Sequence, residues 1–312
     1  MSASIALVFP GQGSQSVGML ADVAAAHLAY GETFVEASDA LGEDLLRLAS
    51  EGPAETLDAT ENTQPVLLAA SVAVHRAWAA AGGASPAMVA GHSLGEYSAL
   101  VVAGALELAD AIRIVRARGL AMQRAVPAGT GSMAAILGLD DETVERCCAE
   151  AADGEVVSAA NYNAPGQVVI AGARAAVERA IEGCKAAGAK RAMALAVSVP
   201  SHCALMAPAR DALAEALDAV TLSAPAIPVI QNVDARASTD PETIRGKLLD
   251  QLQQPVRWTQ CFQALVAAGA GPILECGPGK VLSGLGKRID RAAEMSALGS
   301  ADAIADALAA RG

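Results

Sequence analysis

The run Gly91-His92-Ser93-Leu94-Gly95 has the pattern G-x-S-x-G and stands between an apolar segment at 88–92 and a helical stretch from Leu94 onward. A tight strand-to-helix turn of this kind exposes a serine hydroxyl at a helix N-terminus. Free N–H groups and the helix dipole there favour developing negative charge. Positions 91 and 95 need small residues, because larger side chains would collide across the turn. The same pattern also occurs as a plain glycine-rich turn; the flanking strand and helix favour a nucleophile, Ser93.

A serine hydroxyl attacks only when a base takes its proton. The chain has four histidines. His92 adjoins Ser93, so its ring should project away from the hydroxyl. His27 and His75 lie in helical stretches and read as packed or solvated side chains. His202, in Val199-Pro200-Ser201-His202, falls in a junction loop of the kind where catalytic groups collect, and is the expected base. No acid after Ser93 has a distinctive loop signature. A backbone or side-chain carbonyl can orient the imidazole instead.

An oxyanion hole needs two donors. The N–H of Leu94, directly after the nucleophile, is one. The other is expected from the loop Gly11-Gln12-Gly13, whose glycines let backbone approach closely. That loop fails as a dinucleotide fingerprint, since Gly11, Gly13 and Gly18 do not fit G-x-G-x-x-G.

One arginine stands out by rotation. At ~100° per residue, Ile112, Val115, Gly119, Met122 and Val126 form one helical stripe, and Arg118 lies within about 60° of its centre. Arg113 and Arg124 face the other way, and Arg116 sits near the flank. A buried guanidinium needs an anionic partner, either an internal Asp or Glu or a carboxylate on the substrate.

The elements that must position these residues fall into two patterns. Strands at 5–9, 88–92, 228–231 and 273–276 alternate with helices, among them 64–81, 108–126, one from about Leu205 and one on each side of Trp258. This implies a mostly parallel sheet covered on both faces. Between them, strand 132–137, helix 140–152, strands 156–160 and 167–171 joined by a loop at 161–166, helix 173–187 and strand 191–197 read β-α-β-β-α-β, the ferredoxin-like order. The expected architecture is α/β: a hydrolase-like core at 1–126 and 199–312, with an inserted ferredoxin-like α+β domain at 127–198.

Composition narrows the function. The 312 residues are 53% hydrophobic, enough for a large core, and the net charge of −12 argues against nucleic-acid binding. The six cysteines are scattered without a C-x-x-C pair, so neither a disulfide framework nor a metal site is expected. No basic-then-apolar leader is read at 1–10, and no apolar run approaches the ~20 residues of a membrane span. A cytoplasmic, monomeric protein without membrane association is the expectation.

Beyond the serine motif, the chain carries Val8-Phe9-Pro10-Gly11-Gln12-Gly13-Ser14-Gln15, Asn62-Thr63-Gln64-Pro65, and Glu96-Tyr97 directly after Gly95. Arg118-Gly119, Val126-Pro127 with Gly129-Thr130-Gly131, and a stretch at 161–167 follow. Val199-Pro200-Ser201-His202, Gln251-Leu252 with Pro255-Val256-Arg257-Trp258, and Gly277-Pro278-Gly279 complete the series. In this order and over nearly the whole chain, it resembles the malonyl-CoA:acyl carrier protein transacylases, acyltransferases of bacterial fatty-acid synthesis. The resemblance implies that Ser93 carries the acyl group, His202 is the base and Arg118 binds the malonyl carboxylate. It also implies that the Gln12 and Leu94 amides form the oxyanion hole, and that the backbone carbonyl of Gln251 accepts from His202. Gln64, Asn161 and Asn163 are candidate pocket-lining residues, with surface turns the alternative for the two Asn. The implied reaction is ping-pong, from malonyl-CoA, a coenzyme A thioester, to the phosphopantetheine thiol of acyl carrier protein, with no metal or other cofactor.

Three other readings compete. A thioesterase or lipase would place an acid and then a histidine after the serine, the histidine near the C-terminus, but no histidine follows position 202. A transacylase of a polyketide or malonate-decarboxylase system is a rival within the same family, which gene neighbourhood would separate. A nucleotide-binding module leaves His202 and the 91–95 motif unexplained. Gly277-Pro278-Gly279-Lys280 before a helix is either a phosphate cradle or a plain helix start. Two basic clusters, Lys185 with Lys190 and Arg191, and Lys280 with Lys287 and Arg288, are candidates for docking an acidic carrier protein.

Overall fold

Among the described residues the strands are β1 (Ala6–Phe9), β2 (Met88–Gly91), β3 (Gly131–Leu137), β4 (Val157–Ala164), β5 (Gln167–Ala173), β6 (Arg191–Ala194), β7 (Val229–Ile230), β8 (Ile273–Glu275) and β9 (Met295–Ala297). They belong to a computed structural model that describes residues 4–197 and 199–310. Ser198, where the expected edge of the inserted domain falls, lies outside the described residues.

Five strands form a parallel sheet in the order β7-β2-β1-β8-β9. All four residues of β1 are buried, as an unbroken apolar strand covered on both faces should be. Because the strands are parallel, the segments leaving their carboxyl ends gather along one edge. These are the loop from Pro10 after β1, His92 and Ser93 after β2, Gln231 and Asn232 after β7, and Cys276 after β8. Open parallel sheets bind ligands at that edge.

The other four strands form an antiparallel sheet in the order β4-β5-β3-β6. The helices Asp141–Ala151 and Arg174–Ala186 complete a β-α-β-β-α-β unit. A separate hydrophobic cluster, including Ile136, Val144, Cys147, Val168, Ile170 and Val177, fills it.

The structure differs from the sequence reading at several points. Residues 161–164 belong to β4 rather than to a loop, leaving Pro165-Gly166 as the turn, with Gly166 at φ 73°. The strand runs on because it has a second partner: the Tyr162 amide donates to the Val256 carbonyl and the Val256 amide to the Ala160 carbonyl, both at 2.9 Å. The long helix begins at Thr60 instead of Gln64, β6 ends at Ala194 instead of Val197, and β9 was not expected. All six cysteines are buried, and none is in a disulfide.

Candidate active site

Ser93 sits on the turn from β2 into the helix Gly95–Val102 with φ 51°, a left-handed conformation unusual for a side-chain-bearing residue. The turn closes only around glycine. A Cβ on Gly91 would lie 1.9 Å from the Gly95 carbonyl, and one on Gly95 would lie 2.1 Å from the Phe9 carbonyl oxygen. Asn232 staples both sides of the turn. Its Oδ1 accepts from the Ser93 amide at 2.7 Å, and its Nδ2 donates to the Gly91 carbonyl at 2.7 Å.

Ser93 Oγ lies 2.7 Å from His202 Nε2, and His202 Nδ1 lies 2.7 Å from the Gln251 carbonyl oxygen. A carbonyl can only accept, so Nδ1 carries the hydrogen and Nε2 is left free to take the serine proton. His202 is itself held at φ 63°, with its amide donating to the Leu252 carbonyl at 3.1 Å. Burial, and then the nearby Arg118 cation, push its pKa down to about 3, keeping the imidazole neutral. His92 points the other way, with Nε2 2.8 Å from Asn163 Oδ1 on β4.

Arg118 faces the core from the helix Leu108–Ala125 and is 2% exposed. Its Nη1 donates to Gln64 Oε1 at 2.8 Å, and its Nη2 to Gln251 Oε1 at 3.1 Å and Ser93 Oγ at 3.4 Å. The guanidinium carbon lies 5.6 Å from the Tyr97 ring centroid. Burial pulls its pKa below the ordinary value, yet a guanidinium stays charged. Among the described residues no carboxylate forms an ion pair with it. A full positive charge thus sits beside the serine with only neutral oxygens as hydrogen-bond partners.

A cavity of about 120 Å³ is lined by Gln12, Ser93, Leu94, Arg118, Asn161 and His202, with Met122, Met133 and Val199 among its apolar walls. Neither the Gln12 nor the Leu94 amide has an intramolecular acceptor among the described residues. A second cavity of about 230 Å³ adjoins it, sharing Gln12, His92 and Asn161 and adding Asn163 and Gln167. Gln64, expected at the wall, is instead buried behind Arg118, where its Nε2 also meets Met122 Sδ at 3.7 Å. The helix Val281–Ile289 has its N-terminus occupied: the buried Glu275 carboxylate accepts from the Leu282 and Ser283 amides at 3.0 and 2.7 Å. Gly277-Pro278-Gly279-Lys280 is therefore a plain helix start.

Two members of the site were given no role in the sequence reading, although Glu96 stands in the run directly after Gly95. Asn232 stands two residues past β7, on the edge where the elbow lies, and that position was its only signal. Glu96, three residues after Ser93 in a mostly apolar helix, is 1% exposed and hydrogen-bonded to Asn232, Gln231 and Gln251. Among the described residues no group of three or more His, Cys, Asp or Glu could hold a metal ion.

The family described as Acyl transferase domain matches residues 6–300. The chain belongs to that family. The malonyl CoA-acyl carrier protein transacylase of Escherichia coli (strain K12) is 58% identical over 303 residues, covering 97% of this chain and 98% of that one. The acyl carrier protein S-malonyltransferase of Vibrio cholerae superposes with a TM-score of 0.95 at 56% identity, over 97% of this chain and 99% of that one. A malonyl-transacylase solved in complex with a type II PKS acyl-carrier protein superposes with a TM-score of 0.97 at 53% identity, over 99% of this chain and all of that one. The acyl transferase fold is thus shared over almost the entire length, with its parallel sheet and its smaller antiparallel one.

Proposed function

We propose that this acyl transferase moves a malonyl group from malonyl-CoA to the phosphopantetheine thiol of acyl carrier protein, by way of a malonyl ester on Ser93. The Ser93–His202 pair alone would serve a hydrolase equally well. Arg118 carries the assignment: a buried cation 3.4 Å from Ser93 Oγ, with no carboxylate partner in an ion pair with it among the described residues. An acyl group esterified to Ser93 with a carboxylate two bonds beyond its carbonyl carbon, as in malonate, supplies that partner in a bidentate pair. The names of the relatives agree with this reading.

In the first half-reaction Ser93 Oγ attacks the thioester carbonyl carbon while its proton passes to His202 Nε2. The oxygen of the tetrahedral intermediate receives the N–H groups of Gln12 and Leu94. The C–S bond then breaks, and the departing CoA sulfur takes the proton from His202. In the second half-reaction the carrier thiol gives its proton to His202, attacks the ester carbonyl, and releases Ser93 with that proton returned. The Gln251 carbonyl stabilises the imidazolium in each half. Ser93, His202 and the two substrates supply every group that reacts, so the cycle as written calls on no resident cofactor. The same chemistry serves fatty-acid and polyketide carrier proteins alike.

Replacing Arg118 tests the assignment. Removing one side of a buried charged pair costs roughly 2–5 kcal/mol, so Arg118→Ala should lose roughly 30- to several-thousand-fold in malonyl transfer. Acetyl transfer has no carboxylate to lose and should hold steady or rise. A parallel fall in both, in a folded variant, would make Arg118 structural.

A further inference from the structure

Beneath the elbow lies a carboxylate that the reaction scheme does not use. Glu96 Oε2 accepts from the Asn232 amide at 2.8 Å and from Gln251 Nε2 at 3.0 Å, and Oε1 accepts from Gln231 Nε2 at 3.4 Å. No cation forms an ion pair with it among the described residues; Lys247 exerts a field on it but pairs with Asp234 at 3.0 Å, and the charge of Glu96 also acts on Arg118, which shares Gln251 with it. Burying a carboxylate on neutral donors alone is unfavourable and calls for a reason. Burial pushes its pKa up to about 7 despite the three donors.

The donors supply the reason. Asn232 fixes the Ser93 turn through its side chain. Gln251 offers its backbone oxygen to His202 and its side-chain Oε1 to Arg118. A glutamine amide can sit either way round, and the reversed orientation would turn Nε2 toward Arg118, donor against donor. The bond to Glu96 is the shortest that Gln251 Nε2 makes; its contacts with the Ser93 carbonyl and Asn232 Oδ1 are 3.2 and 3.3 Å. One carboxylate oxygen therefore ties together the residue that shapes the nucleophile and the residue that orients both the base and the carboxylate-binding cation.

We propose that Glu96 is a positioning residue for malonyl transfer, whose Oε2 holds Asn232 and Gln251 so that Ser93, His202 and Arg118 share one geometry. This rests on reading Ser93 as the acylated residue and Arg118 as the malonyl carboxylate's partner. The required feature is an acceptor at Oε2. Glu96→Gln keeps one, because Gln231 can turn its amide and give its unpartnered Oε1 to the new N–H. Glu96→Leu removes it. Gln251→Met removes the side-chain link to Arg118 and keeps the backbone carbonyl.

The test compares single-turnover acylation by malonyl-CoA and by acetyl-CoA in the full-length wild type and the three variants, normalised to folded enzyme. Glu96→Leu should lose about ten- to a hundredfold with malonyl-CoA and less with acetyl-CoA, so the malonyl-to-acetyl ratio falls. Gln251→Met should lower the same ratio, and Glu96→Gln should keep it near wild type. A merely structural Glu96 would lower the melting temperature and leave the ratio alone. An unchanged ratio in folded Glu96→Leu overturns the proposal. If Glu96→Leu does not fold, an unchanged ratio in Gln251→Met overturns it. A wild type that forms no malonyl ester refutes the catalytic reading instead, so the two failures are distinguishable.

Discussion

Ser93, His202 and Arg118 were legible in the sequence because each leaves a local trace. Ser93 has its flanking glycines, His202 survives an elimination among four histidines, and Arg118 falls on a helical stripe. Asn232 leaves almost none, and Glu96 shows only as part of the run after Gly95 with no role attached, since their meaning lies in contacts between segments more than a hundred residues apart. The buried Glu96 carboxyl nevertheless makes a clean prediction about stability. Its folded pKa of about 7 stands above the ordinary 4.5. Between those values the folded protein holds a proton that the unfolded chain has released, so stability is lost as pH rises through the window. A glutamine at 96 suffers no such loss. The unfolding free energy of Glu96→Gln relative to wild type should therefore improve by about 3 kcal/mol between pH 4.5 and pH 7 and then level off. Urea titrations across that range measure it; a difference that does not vary with pH would mean that Glu96 keeps an ordinary pKa.

At the scale of elements, strand and helix identities followed from apolar periodicity, while their ends depended on partners that periodicity does not reveal. β4 runs past the expected loop because the 255–256 segment pairs with its free edge. β9 has three residues, too few to show a pattern, and exists because β8 offers it a parallel edge. The elbow is the opposite case, since its glycines report contacts directly. Gly95→Ala would drive a methyl group against the Phe9 carbonyl at the end of β1 and should destabilise by about 1–3 kcal/mol or more. At Gly31, inside the helix Leu28–Leu41, an added methyl group would meet nothing within 4 Å, so Gly31→Ala should stabilise by about 0.5–1 kcal/mol. Denaturant midpoints for the pair check this; equal effects would show that the elbow relaxes around a side chain.

At the scale of the molecule, the cavity beside Ser93 draws its lining from both sheets' units, Ser93 and Leu94 after β2, Met133 from β3 and Asn161 from β4, and we propose the inserted unit at about 127–198 as the smaller domain. With a net charge of −12, an acidic carrier protein must meet a local basic surface. Lys185 is paired with Glu182. Arg288 instead donates to Gln167, which lines the second cavity, and Lys280 and Lys287 stand exposed nearby in sequence. Charge reversal of Lys280, Lys287 and Arg288 should slow transfer to carrier protein more than reversal of Lys185, Lys190 and Arg191, and should leave transfer to a small thiol unchanged. Equal slowing with both acceptors would argue against docking there. The central claim, a transferase that stores malonate on Ser93, is tested most directly by intact mass spectrometry after mixing with malonyl-CoA in the absence of carrier protein. The account predicts one stable malonyl adduct, mapped to Ser93 and lost in Ser93→Ala; steady release of free malonate with no adduct on the enzyme would contradict it.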